Sequence, residues 1–218
     1  MSNKSRPSIQ QYADKFNIMI VGDNGVGKSK LLTKYGLVDE TALPSSKSVI
    51  PSDHGVKQYT KEFEYNNKLF LFKIWDILYK EKFEKSAKIF YKKADFIILV
   101  CAINSRNSFL NLNKYIEDVK INISYNFNHM AIISNKIDLI DESQVGLNEI
   151  RQKAEELEIE CYETSSNTGE GIKEAFEKIF LKIINTVYQQ PEEQFETDDK
   201  QQIKDKNDDS SCNSCIIF

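Results

Sequence analysis

Apolar and polar positions alternate in short blocks along residues 15–188, and the blocks predict strands and helices in turn. Three apolar runs, at 15–21, 95–102 and 130–134, are typical of strands buried on both faces. Helical patterns lie between and after them. Strands that alternate with helices predict an α/β fold, with a mostly parallel sheet and helices on both of its faces. Such sheets bind ligands beyond the carboxyl ends of their strands.

Two other segments predict departures from this parallel pattern. The runs 57–65 and 68–75 flank the turn dipeptide Asn66-Asn67, which predicts an antiparallel hairpin. Residues 36–54 contain two prolines and four serines without helical or strand periodicity, and they predict a long exposed loop. Because loops of this length in compact domains are usually functional, we expect this one to serve the ligand site.

The last predicted helix has the apolar spacing of an amphipathic helix that packs one stripe on a sheet. Its apolar positions are Ile172, Ala175, Phe176, Ile179, Phe180, Ile183, Ile184 and Val187. After Pro191 the chain is almost entirely polar, which predicts a disordered linker. We therefore expect an N-terminal extension (1–14), one α/β domain (15–188) and an acidic tail (189–218).

Charge is distributed unevenly along the 218 residues, whose formal net charge is −4. Residues 189–218 hold eight acids and three lysines, a net of −5, which leaves about +1 on residues 1–188. Neither portion has the concentrated positive field of nucleic-acid-binding proteins, so no nucleic-acid partner is expected. The polar N-terminus and the short length of the longest apolar stretch, 96–103, indicate neither a signal peptide nor a transmembrane helix.

The segment after the first strand fits the phosphate-binding loop G-x-x-x-x-G-K-[ST] in its required setting between strand and helix. Glycines let the backbone curl so that several N–H groups point at one anion, and the helix N-terminus adds positive potential. Lys28 reaches the β- and γ-phosphates, and Ser29 offers its hydroxyl to Mg²⁺. The predicted nucleotide-binding residues here are Asp23, Asn24, Gly25, Val26, Gly27, Lys28, Ser29 and Lys30.

Two later polar segments, each directly after an apolar run, indicate which base is bound. Residues 135–138 (Asn-Lys-Ile-Asp) follow the run 130–134, and residues 163–166 (Glu-Thr-Ser-Ser) follow the run 159–162. The Asp138 carboxylate can accept hydrogen bonds from guanine N1–H and N2–H₂ together, which adenine cannot supply. Three such loops in order, each at a strand end, predict a guanine nucleotide site.

The chain resembles the Ras-superfamily small GTPases, and the Rab group in particular, across residues 15–188. The motifs N-K-x-D and E-T-S-A-K carry the resemblance and fall at Asn135, Lys136, Asp138, Glu163, Thr164, Ser165, Ser166 and Asn167, the last two departing from the motif. The resemblance implies a P-loop NTPase of the G-domain type, a GTPase that binds GTP or GDP with Mg²⁺ on a six-stranded sheet flanked by five helices. It assigns the Ser166 N–H to guanine O6 and Asp76 to the outer shell of Mg²⁺.

Departures from the family concentrate where the γ-phosphate is sensed and hydrolysed. The second switch motif, W-D-T-A-G-Q-E, here reads Trp-Asp-Ile-Leu-Tyr-Lys-Glu at 75–81. Tyr79 replaces the glycine that lends an N–H to the γ-phosphate, and Lys80 replaces the glutamine that orients the attacking water. Lys28 is the expected catalytic cation. An ammonium such as that of Lys80 has no acceptor to polarise water, so we expect slow intrinsic hydrolysis.

The first switch departs as well. The threonine of the family's T-I-G falls at Asp53, whose carboxylate can ligate Mg²⁺ but also repels the γ-phosphate. Ser52 takes this role instead if the loop shifts by one residue. The aromatic residue that should stack on the base has no counterpart, which leaves Leu37 or Leu43 to cover the purine. In the simpler alternative, Lys80 and Asp53 are solvated loop charges.

The last four residues, 215–218 (Cys-Ile-Ile-Phe), fit the prenylation motif C-a-a-X, and a terminal Phe favours geranylgeranyl. One lipid chain anchors weakly and no polybasic segment assists it, so Cys212 is the expected second lipid site beside Cys215. The alternative is two unmodified, exposed cysteines. We therefore expect a prenyl transferase and an escort protein as partners, and a position on the cytoplasmic face of an intracellular membrane, in exchange with the cytosol.

These features favour a Rab-like GTPase of vesicle traffic that recruits effector proteins when GTP is bound and depends on an exchange factor and an activator. The altered second switch leaves open a pseudo-GTPase, which holds nucleotide without turnover and acts as a scaffold. A P-loop kinase for a small metabolite needs a substrate lid with arginines, and the loop 36–54 contains none.

Overall fold

The computed structural model describes residues 11–39, 56–77, 84–122 and 129–188. These residues form one sheet with helices on both faces. The strands are β1 (Asp14–Val21), β2 (Val38–Asp39), β3 (Val56–Tyr65), β4 (Lys68–Ile77), β5 (Phe96–Ala102), β6 (Met130–Asn135) and β7 (Glu160–Thr164). The helices are α1 (Lys28–Tyr35), α2 (Glu84–Tyr91), α3 (Arg106–Leu110), α4 (Leu112–Asn122), a 3₁₀ helix (Ile137–Glu142), α5 (Leu147–Glu156) and α6 (Ile172–Tyr188).

The sheet has the strand order β2-β3-β4-β1-β5-β6-β7, and all pairings from β4 to β7 are parallel. Its six strands of five or more residues confirm the predicted six-stranded, mostly parallel sheet. The antiparallel β3–β4 hairpin is also confirmed, with φ of 51° at Asn66 and 58° at Asn67, the left-handed values that a tight two-residue turn requires. Since Asn111 alone separates α3 from α4, the described helices correspond to the five expected.

Each face of the sheet carries its own hydrophobic cluster. Helices α1 and α6 pack on one face, where Leu31 and Phe180 are fully buried and the Phe180 ring stacks on that of Phe72, with ring centroids 3.9 Å apart. Helices α4 and α5 pack on the other face through side chains that include Tyr115 and Ile150. Because both faces are covered, the central strands are apolar throughout, which explains the continuous apolar runs of the sequence.

The register of the sheet brings the carboxyl ends of five parallel strands to one edge. Strand β1 lies between β4 and β5, and Ile20 near its carboxyl end is paired with Asp76 near the end of β4. On the other side, Asn135 at the end of β6 is paired with Ala102 of β5 and Thr164 of β7. Parallel strands present their carboxyl ends at the same edge, so this edge is where a ligand is expected to bind.

Two predictions need correction. Helix α6 buries the seven predicted apolar residues from Ile172 to Ile184, but Val187 is 49% exposed, because it lies in the last turn of the helix. The segment 36–54 is not loop throughout, since Val38–Asp39 pairs with Thr60 and Tyr59 of β3 as a short edge strand. Residues 40–55 lie outside the described part.

The chain divides into a compact unit, residues 1–184, and a second unit, residues 185–218. The structure describes only residues 185–188 of the second unit, which form the last turn of α6. Among the described helices, none combines the length and the apolar character that crossing a bilayer requires.

Candidate nucleotide-binding site

The loop between β1 and α1 has glycine where its backbone is crowded. A Cβ at Gly22 would lie 2.2 Å from the carbonyl oxygen of Val100. Gly27 has a left-handed φ of 100°, and a Cβ there would lie 2.4 Å from the side-chain nitrogen of Asn135. The first helical bond runs from the Leu31 N–H to the Gly27 carbonyl, so the preceding N–H groups of α1 have no partner within the helix. Such a helix start favours an anion.

The ammonium group of Lys28 lies directly over this loop. It donates to the carbonyl oxygens of Gly22 (2.7 Å) and Asp23 (2.9 Å), and the side chain is buried. Burial lowers the pKa of Lys28, and the nearby carboxylates of Asp76 and Asp23 partly oppose this shift. A buried cation held at a helix N-terminus can bind a phosphate with little loss of side-chain entropy.

Ser29 and Asp76 form a pair that fits Mg²⁺. The Ser29 hydroxyl donates to one carboxylate oxygen of Asp76, and the other oxygen of Asp76 is buried without a hydrogen-bond partner among the described residues. A hydroxyl and a carboxylate are oxygen ligands of the kind that Mg²⁺ prefers beside phosphates. The described residues contain no cluster of three or more His, Cys, Asp or Glu that would hold a metal without such help from a ligand.

The side-chain amide of Asn135 joins three loops in the interior of this edge. Its nitrogen donates to the Val26 carbonyl (2.7 Å) and to the Ser166 hydroxyl (3.2 Å), and its oxygen accepts from the Ser166 N–H (2.9 Å) and the Thr164 hydroxyl (3.2 Å). Asn135 is fully buried, so each of these bonds is shielded from water. The Ser166 N–H, which the resemblance assigns to guanine O6, therefore already has an acceptor here.

Asp138 is held by the loop that follows β7. Lys136 adopts a left-handed φ of 67° and turns the chain from β6 into the 3₁₀ helix that carries Asp138. The Ser165 hydroxyl donates to the Asp138 carboxylate (2.5 Å), and the Lys30 ammonium donates to the Asn167 side-chain oxygen (3.2 Å). The Ser165 bond, with smaller contributions from Asn167 and the charge of Lys30, lowers the pKa of Asp138. The carboxylate is thus an ionised acceptor at neutral pH.

Asp23 has a role that the sequence did not indicate. Its carboxylate accepts from the Asn111 side-chain nitrogen (2.8 Å) and the Tyr115 hydroxyl (2.9 Å), which ties the phosphate loop to the α3–α4 segment. Asn24 and Gly25 are exposed at the tip of the loop. Since these partners are 88 and 92 residues away in sequence, no local motif could have identified them.

Seven residues with predicted functional roles lie outside the described part of the chain, namely Leu43, Ser52, Asp53, Tyr79, Lys80, Cys212 and Cys215. Leu37, which was expected as one possible cover for the purine, is 5% exposed and packs in the core with Leu31 and Val26. It therefore has little surface to offer a base.

The fold and the site together define a P-loop nucleotide-binding domain of the α/β class. At one end of the site, a buried lysine and a hydroxyl–carboxylate pair suit phosphates and a divalent cation. At the other end, the oriented carboxylate of Asp138 suits the donor edge of a purine.

Comparison with known proteins identifies the family. A sequence model of the Ras family matches residues 17–185. The chain is 34% identical over 169 residues to Ras-related protein RABG3f of Arabidopsis thaliana, covering 74% of this chain and 79% of the relative. It is 32% identical over 180 residues to Ras-related protein Rab-2B of Dictyostelium discoideum, covering 83% and 86% respectively. The chain therefore belongs to the Ras family and is a Rab-like small GTPase, as the resemblance predicted.

Replacing Asn135 should test whether its amide holds the three loops together. We expect Asn135→Ala to lower the free energy of unfolding by about 2–4 kcal/mol, because the Val26 carbonyl and the Ser166 N–H lose buried partners. Urea unfolding without nucleotide measures this. Asn148→Ala is the matched control, since Asn148 is exposed and bonded to Arg151, and it should cost less than about 0.5 kcal/mol. Equal losses in both variants would contradict the assignment.

Proposed function

We propose that this protein binds GTP and GDP with Mg²⁺, hydrolyses GTP slowly and acts as a membrane-anchored switch in vesicle traffic. One observation carries the nucleotide part: Asn135 joins the phosphate loop to the loop that orients Asp138. The same edge of the sheet holds groups that suit phosphates and a group that suits a purine base, so a single ligand with both parts fits the site. Membership of the Ras family, with Rab proteins as relatives, supports the switching role.

In this proposal each described group has one task. The free N–H groups at the start of α1 and the Lys28 ammonium bind the phosphates, while Ser29 and Asp76 hold Mg²⁺, which neutralises charge on the β- and γ-phosphates when bound. Asp138 accepts from guanine N1–H and N2–H₂, and the loop at Ser166 lies beside guanine O6. Asn135, which the sequence assigns to the nucleotide site, also positions the loops through its buried amide.

Slow hydrolysis is proposed because positioning and charge stabilisation are separate requirements. Hydrolysis needs a water held in line with the γ-phosphorus, and activators add charge to a water that is already in place. Lys80 supplies charge but no acceptor for the water, and Tyr79 restricts the backbone where the family has glycine. A nucleotide-holding module without turnover is the alternative that these two residues favour. The nucleotide that copurifies with the protein distinguishes a cycling switch from an empty or permanently loaded scaffold.

The first functional prediction concerns the base. Asp138→Asn should weaken GTP binding on the order of a hundredfold and allow xanthosine triphosphate to bind. The reason is that xanthine offers an oxygen, which can accept from the asparagine amide, where guanine offers N2–H₂. Titration with fluorescent analogues of GTP and of xanthosine triphosphate measures the two affinities. Asp141→Asn, an exposed acid on the same 3₁₀ helix, is the matched control and should retain wild-type affinities. Unchanged GTP affinity in Asp138→Asn would show that this carboxylate does not read the base.

The second functional prediction concerns the rate. Wild-type turnover of bound GTP with Mg²⁺ should fall below about 10⁻⁴ s⁻¹, the intrinsic range of the family, and a conventional activator should raise it little. The double variant Tyr79→Gly/Lys80→Gln should be faster, because it restores the acceptor and the mobile N–H. Single-turnover assays measure both rates, with Lys178→Gln on α6 as a control that leaves the rate unchanged. A wild-type rate equal to that of ordinary Rab proteins would mean that another group positions the water.

Membrane anchoring is proposed from the C-terminal motif alone. The domain limits proposed with it are an extension at 1–14, the G domain at 15–188 and the acidic tail at 189–218. Prenyl transferase would modify Cys215, an escort protein would carry the lipid through the cytosol, and a second lipid on Cys212 would secure the anchor. Exchange factor, activator and effector proteins complete the set of partners.

The third functional prediction tests this anchor. Full-length protein expressed in eukaryotic cells should fractionate with membranes. Cys215→Ser should shift it to the soluble fraction, because the thiol that would carry the prenyl group is lost. Ser214→Ala, the neighbouring change outside the motif, should leave the distribution unchanged. An unmodified C-terminus in the mass spectrum of the wild-type protein would contradict the proposal.

A further inference from the structure

The side chain of Lys30 extends from α1 to the loop that follows β7. Lys30 lies in the first turn of α1, two residues after Lys28, and its ammonium donates to the Asn167 side-chain oxygen at 3.2 Å. Cα–Cβ bonds in a helix tilt toward its N-terminus, so this side chain leans toward the phosphate loop. The contact joins residues that are 137 apart in sequence.

A row of hydrogen bonds continues from this contact to the residue that reads the base. The Asn167 N–H donates to the Ser165 hydroxyl (3.2 Å), and that hydroxyl donates to the Asp138 carboxylate (2.5 Å). The Ser165 hydrogen bond is the main cause of the lowered pKa of Asp138, and the charge of Lys30 adds a smaller contribution. Lys30 therefore belongs to the same hydrogen-bond network as the carboxylate of Asp138, although it lies on α1, the helix that follows the phosphate loop.

The loop after β7 lacks the lysine with which the family motif ends. The motif E-T-S-A-K ends in lysine, and this chain has Asn167 at that position. The residue expected to stack on the purine is missing as well, and Leu37 is buried in the core. A lysine entering from α1 and bonded to Asn167 returns a cation to this loop, and its four-carbon stem offers apolar surface next to the base.

We propose, on the basis of the nucleotide-binding function above, that the Lys30 side chain lies along the purine of a bound guanine nucleotide and replaces the lysine that the family has at position 167. The methylene stem covers part of the ring, and the ammonium, held by Asn167, stabilises its π face. Lys30 is thus a positioning residue for the base, in addition to any bond its N–H makes to phosphate.

Dissociation of a fluorescent GDP analogue from full-length protein tests this. Lys30→Ala should release GDP roughly five- to tenfold faster than wild type, the size of one cation–π contact. Lys30→Gln, which can still bond to Asn167 but has no charge, should be similarly fast. Moving the lysine to the family position, in Lys30→Ala/Asn167→Lys, should bring the rate back to within about twofold of wild type.

Lys34→Ala is the matched control, since this exposed lysine lies one turn further along α1, and it should leave GDP release unchanged. Release from Lys30→Ala at the wild-type rate would overturn the proposal. A wild-type release rate in Lys30→Gln would also overturn it, because the contact with the base would then need no charge. The same holds if the double variant releases GDP as fast as Lys30→Ala. If wild-type protein fails to bind guanine nucleotides, the proposed function itself fails, whereas binding with an unchanged Lys30→Ala rate overturns this inference alone.

Discussion

Four hydrogen bonds converge on the buried amide of Asn135, and the geometry of the whole site depends on them. The amide takes its position from β6, accepts from the loop after β7 and donates to the phosphate loop. A buried amide that loses one partner pays the cost of desolvation, so the three loops are stable together or not at all. A Cβ at Gly27 would lie 2.4 Å from the nitrogen of the same amide, so this close contact requires glycine.

This arrangement places several polar groups where a folded protein rarely tolerates them. Lys28, Asp76 and Asn135 are all buried at the edge of the sheet, and one oxygen of Asp76 has no partner among the described residues. Burial lowers the pKa of Lys28, because a charge removed from water is less stable. A phosphate beside the ammonium and a cation beside the carboxylate would offset these costs. Any ligand that binds these side chains in the folded state alone would stabilise the fold.

The strands, the hairpin and the phosphate loop could be predicted because each depends on residues that are close in sequence. Strand β5 is a continuous apolar run, and the two left-handed asparagines at 66–67 specify their own turn. The contacts of Asp23 with Tyr115 and of Lys30 with Asn167 could not be predicted, because they join segments 92 and 137 residues apart. The exposure of Val187 also escaped prediction, since periodicity identifies a face of a helix but not where its contact with the sheet ends.

The residues at the ends of β4 and β6 keep the family's motifs, whereas residues 79 and 80, which follow β4 in sequence, depart from them. Asp76 and Asn135 lie at strand ends, where the pairing of parallel strands fixes their backbones. Hydrolysis relies on loop residues, because a water has to be oriented only after the γ-phosphate is in place. Tyr79 and Lys80 come two and three residues after Ile77 in the sequence, and Ile77 is the last paired residue of β4. Substitution there can alter turnover without disturbing the strand-end groups, so affinity and catalysis are able to diverge separately within one G domain.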